Sequence, residues 1–125
     1  MKNQKGYIAI ATVLVIAAAV TLIGVTVSLS AINEAQVSFS NLKSDHSLDL
    51  AEGCAADALL YLNKNDLLPS AITLPAGSCS VTTESQSGND WTFLVDAVFS
   101  NYSKKLRIQA TRSNTVSITS WQEIE

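Results

Sequence analysis

Apolar residues fill the amino-terminal part of the chain almost without interruption. No charged side chain lies between Lys5 and Glu34, and most residues from Tyr7 to Ile32 are aliphatic. A helix needs about 20 predominantly apolar residues to cross the hydrocarbon core of a bilayer. The pattern therefore predicts a transmembrane helix over residues 7–33.

Beyond residue 33 the apolar positions recur every three or four residues, which is typical of an amphipathic helix. The segment 34–64 contains no proline and one glycine. The recurring positions are Val37, Leu42, Leu48, Ala51, Ala55, Ala58, Leu59 and Leu62. We expect one helix of about 55 residues. An alternative is two helices with a break near Ser44–Ser47, which would keep the same faces.

After residue 64 the period changes from helical to two. A loop is predicted around Asn63, Asn65, Pro69, Pro75 and Gly77. Apolar residues then alternate with polar ones in four segments, represented by Cys79 and Val81; Trp91, Phe93, Val95, Ala97 and Phe99; Leu106, Ile108 and Ala110; and Val116 and Ile118. Residues 65–125 are thus expected to form a loop and a four-stranded antiparallel meander packed on the second half of the helix, an α+β fold.

The charges on either side of the apolar segment predict its orientation. Lys2 and Lys5 precede it, and acidic residues dominate the segment after it, namely Glu34, Asp45, Asp49 and Glu52. The positive-inside rule therefore favours a cytoplasmic amino terminus and an extracytoplasmic remainder of the chain. Three fates of the apolar segment are possible: an uncleaved signal anchor, a secretory signal cut before Ala31, and a cut near Gly6. A lipoprotein signal is excluded, because Cys54 lies far beyond the apolar run.

At Gly6 and Tyr7 the sequence resembles type IV prepilins and pseudopilins, in which a short basic leader ends in glycine before a long apolar helix. The resemblance implies a pilin-like fold and a prepilin peptidase that removes residues 1–6 and methylates the new amino terminus, Tyr7. Tyr7 stands where phenylalanine is usual. The other partners implied are major and minor pilins, the assembly platform of the inner membrane, and membrane lipid.

The sequence departs from the family at Ala11, the fifth residue after the expected cut, where most pilins have glutamate. In the family this carboxylate pairs with the amine of a neighbouring subunit. Subunits that lack it are minor ones, and the TLIG run ending at Gly24 resembles the PilX-type minor pilins. We therefore expect a minor pilin or pseudopilin that primes or caps a filament, with Gly24 allowing close approach of a partner helix. The alternative is a membrane-anchored extracytoplasmic binding module that does not polymerise.

An extracytoplasmic location would allow the two cysteines to form a disulfide. Cys54 lies in the amphipathic segment and Cys79 in the first predicted strand, so a disulfide would connect the helix to the sheet. The alternative is two buried thiols.

The remaining chemistry does not indicate an enzyme. There is one histidine, no cluster of cysteine and histidine at metal-ligand spacing, no glycine-rich phosphate loop and no GxSxG motif, so no cofactor or metal is expected. His46 is interpreted as a solvated residue, and the carboxylates beside it as a charged helix face rather than a calcium site. Asn101 is interpreted as part of a turn rather than a glycosylation site.

The charge balance argues against general binding of polyanions, because the chain has a formal net charge of −3. One basic group lies outside the leader, comprising Lys104, Lys105, Arg107 and Arg112, with Tyr102 nearby. Binding of nucleic acid by this group is an alternative. The preferred interpretation is a solvated outer face that protects the sheet against aggregation.

Overall fold

The computed structural model describes residues 3–125, so Met1 and Lys2 of the expected leader lie outside the described residues. One helix is followed by five strands: α1 Asn3–Asn65, β1 Ala71–Leu74, β2 Gly77–Ser87, β3 Asp90–Phe99, β4 Tyr102–Arg112 and β5 Val116–Ile124. The predicted α+β class is confirmed. The chain divides into two compact units, one ending at Phe39 and the other spanning Ser40–Glu125, and α1 contributes to both.

Helix α1 is continuous through Ser44–Ser47, so the alternative of two helices is wrong. Ser47 is fully buried there, and its hydroxyl donates a hydrogen bond of 2.7 Å to the carbonyl of Ser44. A serine that bonds to its own helix in this way leaves no polar atom unsatisfied, so it does not interrupt the helix. The helix also begins earlier than expected, because residues 3–6 are helical.

The five strands form one antiparallel sheet in the order β1-β2-β3-β4-β5, with each strand paired to its neighbour in sequence. The expected count of four strands is wrong, because β1 lies where the sequence predicts a loop. Pro69 and Pro75 flank β1 without entering it. Proline disrupts a sheet only where it replaces a ladder donor, so four residues between two prolines can still form an edge strand.

The core of the second unit lies between α1 and one face of the sheet. Small residues of the helix meet large residues of β3 and β4, which lets the helix approach the sheet closely. The buried members are Leu50, Ala51, Cys54, Ala55, Ala58 and Leu62 from the helix, and Ile72, Cys79, Val81, Trp91, Phe93, Val95, Ala97, Leu106, Ile108 and Ala110 from the strands. The alternation predicted for β3 and β4 is therefore confirmed.

Seven positions of the predicted apolar pattern are not fully buried, and Leu48, Leu59 and Phe99 are among them as half-buried side chains. Val37 and Leu42 of α1 are 61% and 53% exposed. On β5, Ile118 is 51% exposed and Val116 is half-buried. Periodicity identified the correct faces, but it did not predict how far along the helix or across the sheet the core extends.

The carboxyl end of α1 is held by the sheet. Asp66 adopts a left-handed conformation (φ 55°) and donates its backbone N–H to the carbonyl of Leu62 at 3.0 Å. The guanidinium of Arg112 donates to the carbonyls of Leu62 and Asn63 at 3.1 and 3.3 Å, and it pairs with the Asp66 carboxylate at 3.1 Å. These bonds satisfy carbonyls that lack partners at a helix end.

Candidate functional site

The apolar segment of α1, residues 7–32, exposes its large side chains on every side. Their exposed fractions run from 54% at Ile32 to 76% at Tyr7. α1 is the one helix of the described residues that is long and apolar enough to cross a membrane. Such a surface is costly in water and favourable in lipid.

The serine and threonine hydroxyls in this segment are all bonded within the helix. Thr12 donates to the carbonyls of Ile8 and Ala9, each at 2.9 Å. The other serine and threonine hydroxyls between residues 8 and 32, those of Thr21, Thr26, Ser28 and Ser30, also donate to carbonyls three or four residues earlier. Since a polar group without a partner costs several kcal/mol in hydrocarbon, about 4–8 on a cyclohexane scale, these bonds suit the segment to a bilayer.

The residues expected to act in processing and assembly lie along this exposed segment. Gly6 and Tyr7 are both within the helix, and a Cβ added at Gly6 would meet no atom within 4 Å. Ala11 lies on an open apolar surface beside Tyr7, Ile8, Thr12 and Val15. A Cβ added at Gly24 would also meet nothing within 4 Å, so packing within this chain does not require glycine there.

The predicted disulfide is present in the second unit. Cys54 of α1 and Cys79 of β2 are bonded, with Cα atoms 6.3 Å apart, and both residues are buried. The alternative of two free thiols is therefore wrong. The bridge attaches β2, and through it the short edge strand β1, to the carboxyl-terminal part of α1.

Two glycines allow the hairpin of β1 and β2 to lie close to α1 near this bridge. A Cβ added at Gly53 would lie 3.2 Å from Cδ1 of Leu74, and one added at Gly77 would lie 2.9 Å from Cδ2 of Leu50. Both distances are shorter than an ordinary van der Waals contact, and the second is the closer. The disulfide is thus embedded in a close helix–hairpin contact.

Every cation of the basic group has a carboxylate partner. Lys104 pairs with Glu123, Lys105 with Asp96 at 3.9 Å, Arg107 with Glu84 at 2.9 Å, and Arg112 with Asp66. The hydrogen bond to Glu123 raises the pKa of Lys104, and that to Glu84 raises the pKa of Arg107. Phosphate groups would have to displace these carboxylates, so the geometry does not favour a nucleic-acid surface.

The other candidate residues, His46 and Asn101, show no arrangement for catalysis or metal binding. His46 is exposed, with its ring 5.5 Å from that of Phe99. Asn101 lies in the turn between β3 and β4, as predicted. Among residues 3–125, no group of three His, Cys, Asp or Glu side chains is arranged to hold a metal ion.

Sequence reasoning missed two contacts that join helix and sheet. The Arg112 contact with the end of α1 is one, and a hydrogen bond of 2.6 Å between the hydroxyls of Ser40 and Tyr102 is the other. Each joins residues at least 50 positions apart. No periodicity or spacing signal relates such residues.

Comparison with known proteins gives no relative. No protein-family model, no curated protein sequence and no solved structure matches the chain.

Proposed function

We propose that the chain is a minor type IV pilin or pseudopilin, a membrane-anchored subunit that primes or caps an extracellular filament of a pilus, secretion or competence system. A prepilin peptidase cuts it between Gly6 and Tyr7. The amino terminus faces the cytoplasm, the second unit is extracytoplasmic, and the anchor contacts lipid first and other pilins after assembly.

The observation that carries this proposal is the character of residues 7–32. They follow Gly6 directly, contain no charged side chain, and leave no serine or threonine hydroxyl unbonded. The carboxyl-terminal part of the same helix packs against one face of the sheet and is joined to it by the disulfide. One helix serving as anchor and as core of an exported domain is what a filament subunit needs.

Ala11 supports the assignment to a minor subunit. A carboxylate at this depth would cost about 2.5–3.5 kcal/mol on insertion scales, and a pilin of the repeating filament recovers that cost by pairing with a neighbour's amine. Ala11 offers only a methyl group among apolar neighbours. A subunit of this kind fits the tip or an initiating complex, where no further subunit needs the carboxylate.

Processing is tested by Gly6→Val with Gly24→Val as its matched control. Gly6→Val should leave a full-length, unmethylated precursor, because a β-branched side chain obstructs the cut. Gly24→Val makes the same change later in the same helix and should mature normally. Intact mass and amino-terminal sequencing of the membrane-extracted protein measure both. Normal maturation of Gly6→Val would refute the prepilin assignment.

The minor role is tested by the composition of purified filaments. The protein should be present at far below one copy per major subunit, and it should not polymerise alone. Ala11→Glu should increase its share of the filament body, whereas Ala18→Glu, a carboxylate at a position without that role, should not. Filaments made chiefly of the unaltered chain would contradict the minor-subunit assignment.

The second candidate is a membrane-anchored binding module that does not polymerise. The apolar segment is equally suited to anchor such a module, because a membrane anchor does not require cleavage. A mature chain that retains Met1, with no copies in filaments, would favour this function over the first.

A further inference from the structure

Both sulfur atoms of the Cys54–Cys79 bridge lie inside the folded second unit. Cys54 is fully buried and Cys79 is 4% exposed. Leu50 and Ala55 of α1 and Val81 of β2 belong to the same buried cluster. A thiol of another molecule can exchange with this bridge only by attacking one of its two sulfurs directly. In the folded unit neither sulfur is accessible to such a thiol.

The backbone near the bridge is also closely packed. A Cβ added at Gly53 would lie 3.2 Å from Cδ1 of Leu74, and one added at Gly77 would lie 2.9 Å from Cδ2 of Leu50. The hairpin of β1 and β2 therefore lies directly on α1 at these points, with no space for another molecule between them. Exposure of either sulfur requires this hairpin to leave the helix.

The bridge must form by the reverse of the route by which it can be opened. Thiol–disulfide exchange proceeds through a mixed disulfide, in which one sulfur of the chain is bonded to a sulfur of the reagent. A mixed disulfide at Cys54 or Cys79 would place the reagent where the folded unit has its core. Oxidation by exchange therefore precedes the packing of the sheet on α1.

The two cysteines differ in when they become available. Cys54 lies on α1, whose backbone hydrogen bonds join residues four apart and need no other element. Cys79 lies on β2, which pairs with β1 and β3. With the amino terminus in the cytoplasm, the chain emerges in sequence order, so Cys54 precedes Cys79 by 25 residues. Cys54 is thus the first sulfur to leave the cytoplasm, on a helix face that the sheet does not yet cover.

We propose that the bridge forms on the incompletely folded chain, through a mixed disulfide between Cys54 and a disulfide-bearing oxidant outside the cytoplasm. The Cys54 thiolate attacks the oxidant's disulfide and releases one of its sulfurs as a thiol. The Cys79 thiolate then attacks the Cys54 sulfur and releases the second sulfur of the oxidant. The chain loses two electrons and two protons, and the oxidant's disulfide becomes two thiols.

The location outside the cytoplasm belongs to the proposed function, and the order of oxidation rests on it. It does not rest on cleavage after Gly6 or on a place in a filament. If the second unit stays in the cytoplasm, both thiols should be free when the protein is extracted. If the location is correct and the order is wrong, the bridge should form without an adduct at Cys54.

Trapping of the adduct tests the first step. Cells that express Cys79→Ser, or Cys54→Ser as the matched control, are quenched with acid and alkylated with N-ethylmaleimide. In Cys79→Ser the second thiolate is missing, so an adduct at Cys54 should accumulate and disappear on reduction. Cys54→Ser should carry several-fold less adduct. Non-reducing electrophoresis and intact mass measure both, and the mass distinguishes a protein oxidant from a small disulfide such as that of glutathione.

Reduction of the purified chain tests whether the sulfurs are accessible in the folded unit. The oxidised full chain in detergent micelles is treated with dithiothreitol over a range of urea concentrations. Without urea, reduction should be about 100-fold or more slower than for the unfolded chain, because opening of a core element approaches the global stability in cost. Gly77→Ala, which disturbs the contact of the hairpin with α1, should be reduced faster than wild type. Val98→Thr, at an exposed position of β3, should not.

Three results would overturn the proposal. One is reduction of the folded chain as fast as the unfolded one and independent of urea, which would show that the sulfurs are accessible after folding. Another is a fully oxidised wild type together with no adduct in Cys79→Ser, or with as much adduct in Cys54→Ser. The third is two alkylated thiols per chain in freshly extracted wild type, which would refute the location as well.

Discussion

Removal of the Cys54–Cys79 disulfide should destabilise the second unit by several kcal/mol. The bridge joins residues 25 positions apart, and the loop it closes contains the end of α1, the linker and β1. The chain-entropy model gives about 3.5 kcal/mol for a loop of this length. Both cysteines are buried, so replacement by alanine adds the loss of two packed sulfur atoms.

The corresponding change in melting temperature is large. The unit Ser40–Glu125 is a domain of the size for which 1 kcal/mol shifts the melting temperature by about 4–8 °C. Loss of the cross-link alone should therefore lower it by about 14–28 °C. The loosening should begin at β1, because that strand has one sheet neighbour and four residues.

Thermal unfolding of the full chain in detergent micelles measures this effect. Fluorescence of Trp91 is a suitable signal, since this side chain is buried on β3 and does not belong to α1. The comparison uses oxidised protein, reduced protein and Cys54→Ala/Cys79→Ala, each with and without reductant. Reduced protein isolates the cross-link, and the double variant adds the packing loss.

The reasoning would be refuted by a reduced protein that melts within about 3 °C of the oxidised one, a shift that corresponds to less than about 1 kcal/mol. Labelling of the denatured, unreduced protein provides a second check. Two reactive thiols per chain would show that the bridge does not form. Reductant should leave the melting temperature of the double variant unchanged.

Three further effects are expected. Arg112→Met should lower the free energy of unfolding by about 1.5–3 kcal/mol in urea titration, because the last carbonyls of α1 lose a charged donor. Gly77→Ala should lower the melting temperature, because its Cβ would lie 2.9 Å from a methyl of Leu50. The Lys104–Glu123 pair should stabilise the fold below pH 10.5, the ordinary pKa of lysine, and lose that effect as pH rises through the higher pKa of the folded state. The difference in urea midpoint between wild type and Lys104→Met, followed with pH, measures the last effect.

Each of these effects has a control within the chain. Arg107→Met removes an exposed pair with Glu84 and should destabilise the fold less than Arg112→Met does, so an equal loss at both arginines would contradict the helix-end role of Arg112. Gly77→Ala combined with Leu50→Ala should show a smaller penalty from the added methyl than Gly77→Ala alone. A Lys104→Met difference that persists unchanged above the folded pKa would contradict the ion-pair explanation.

The sequence alone determined the elements that rest on local pattern. The charge-free segment before Glu34, the amphipathic segment after it and the alternation in β3 and β4 each repeat within a few residues, so their faces can be predicted without knowing the fold. The disulfide could be predicted because two cysteines permit one intramolecular pairing and the helix had to meet the sheet. The assignment of Gly6 and Ala11 to filament assembly rests on resemblance and stays a proposal.

The tertiary structure decided what depends on neighbours distant in sequence. β1 is a strand because β2 pairs with it, although the prolines on either side of it are typical of a loop. Arg112 holds the end of α1 across 50 residues, and the cations near Tyr102 are neutralised by carboxylates from other strands. The open edge of β5 likewise follows from its place as the last strand in the sheet order. Its alternation resembles that of β4, but β4 has two strand neighbours and β5 has one, so the same pattern yields a core strand in one place and an exposed edge in the other.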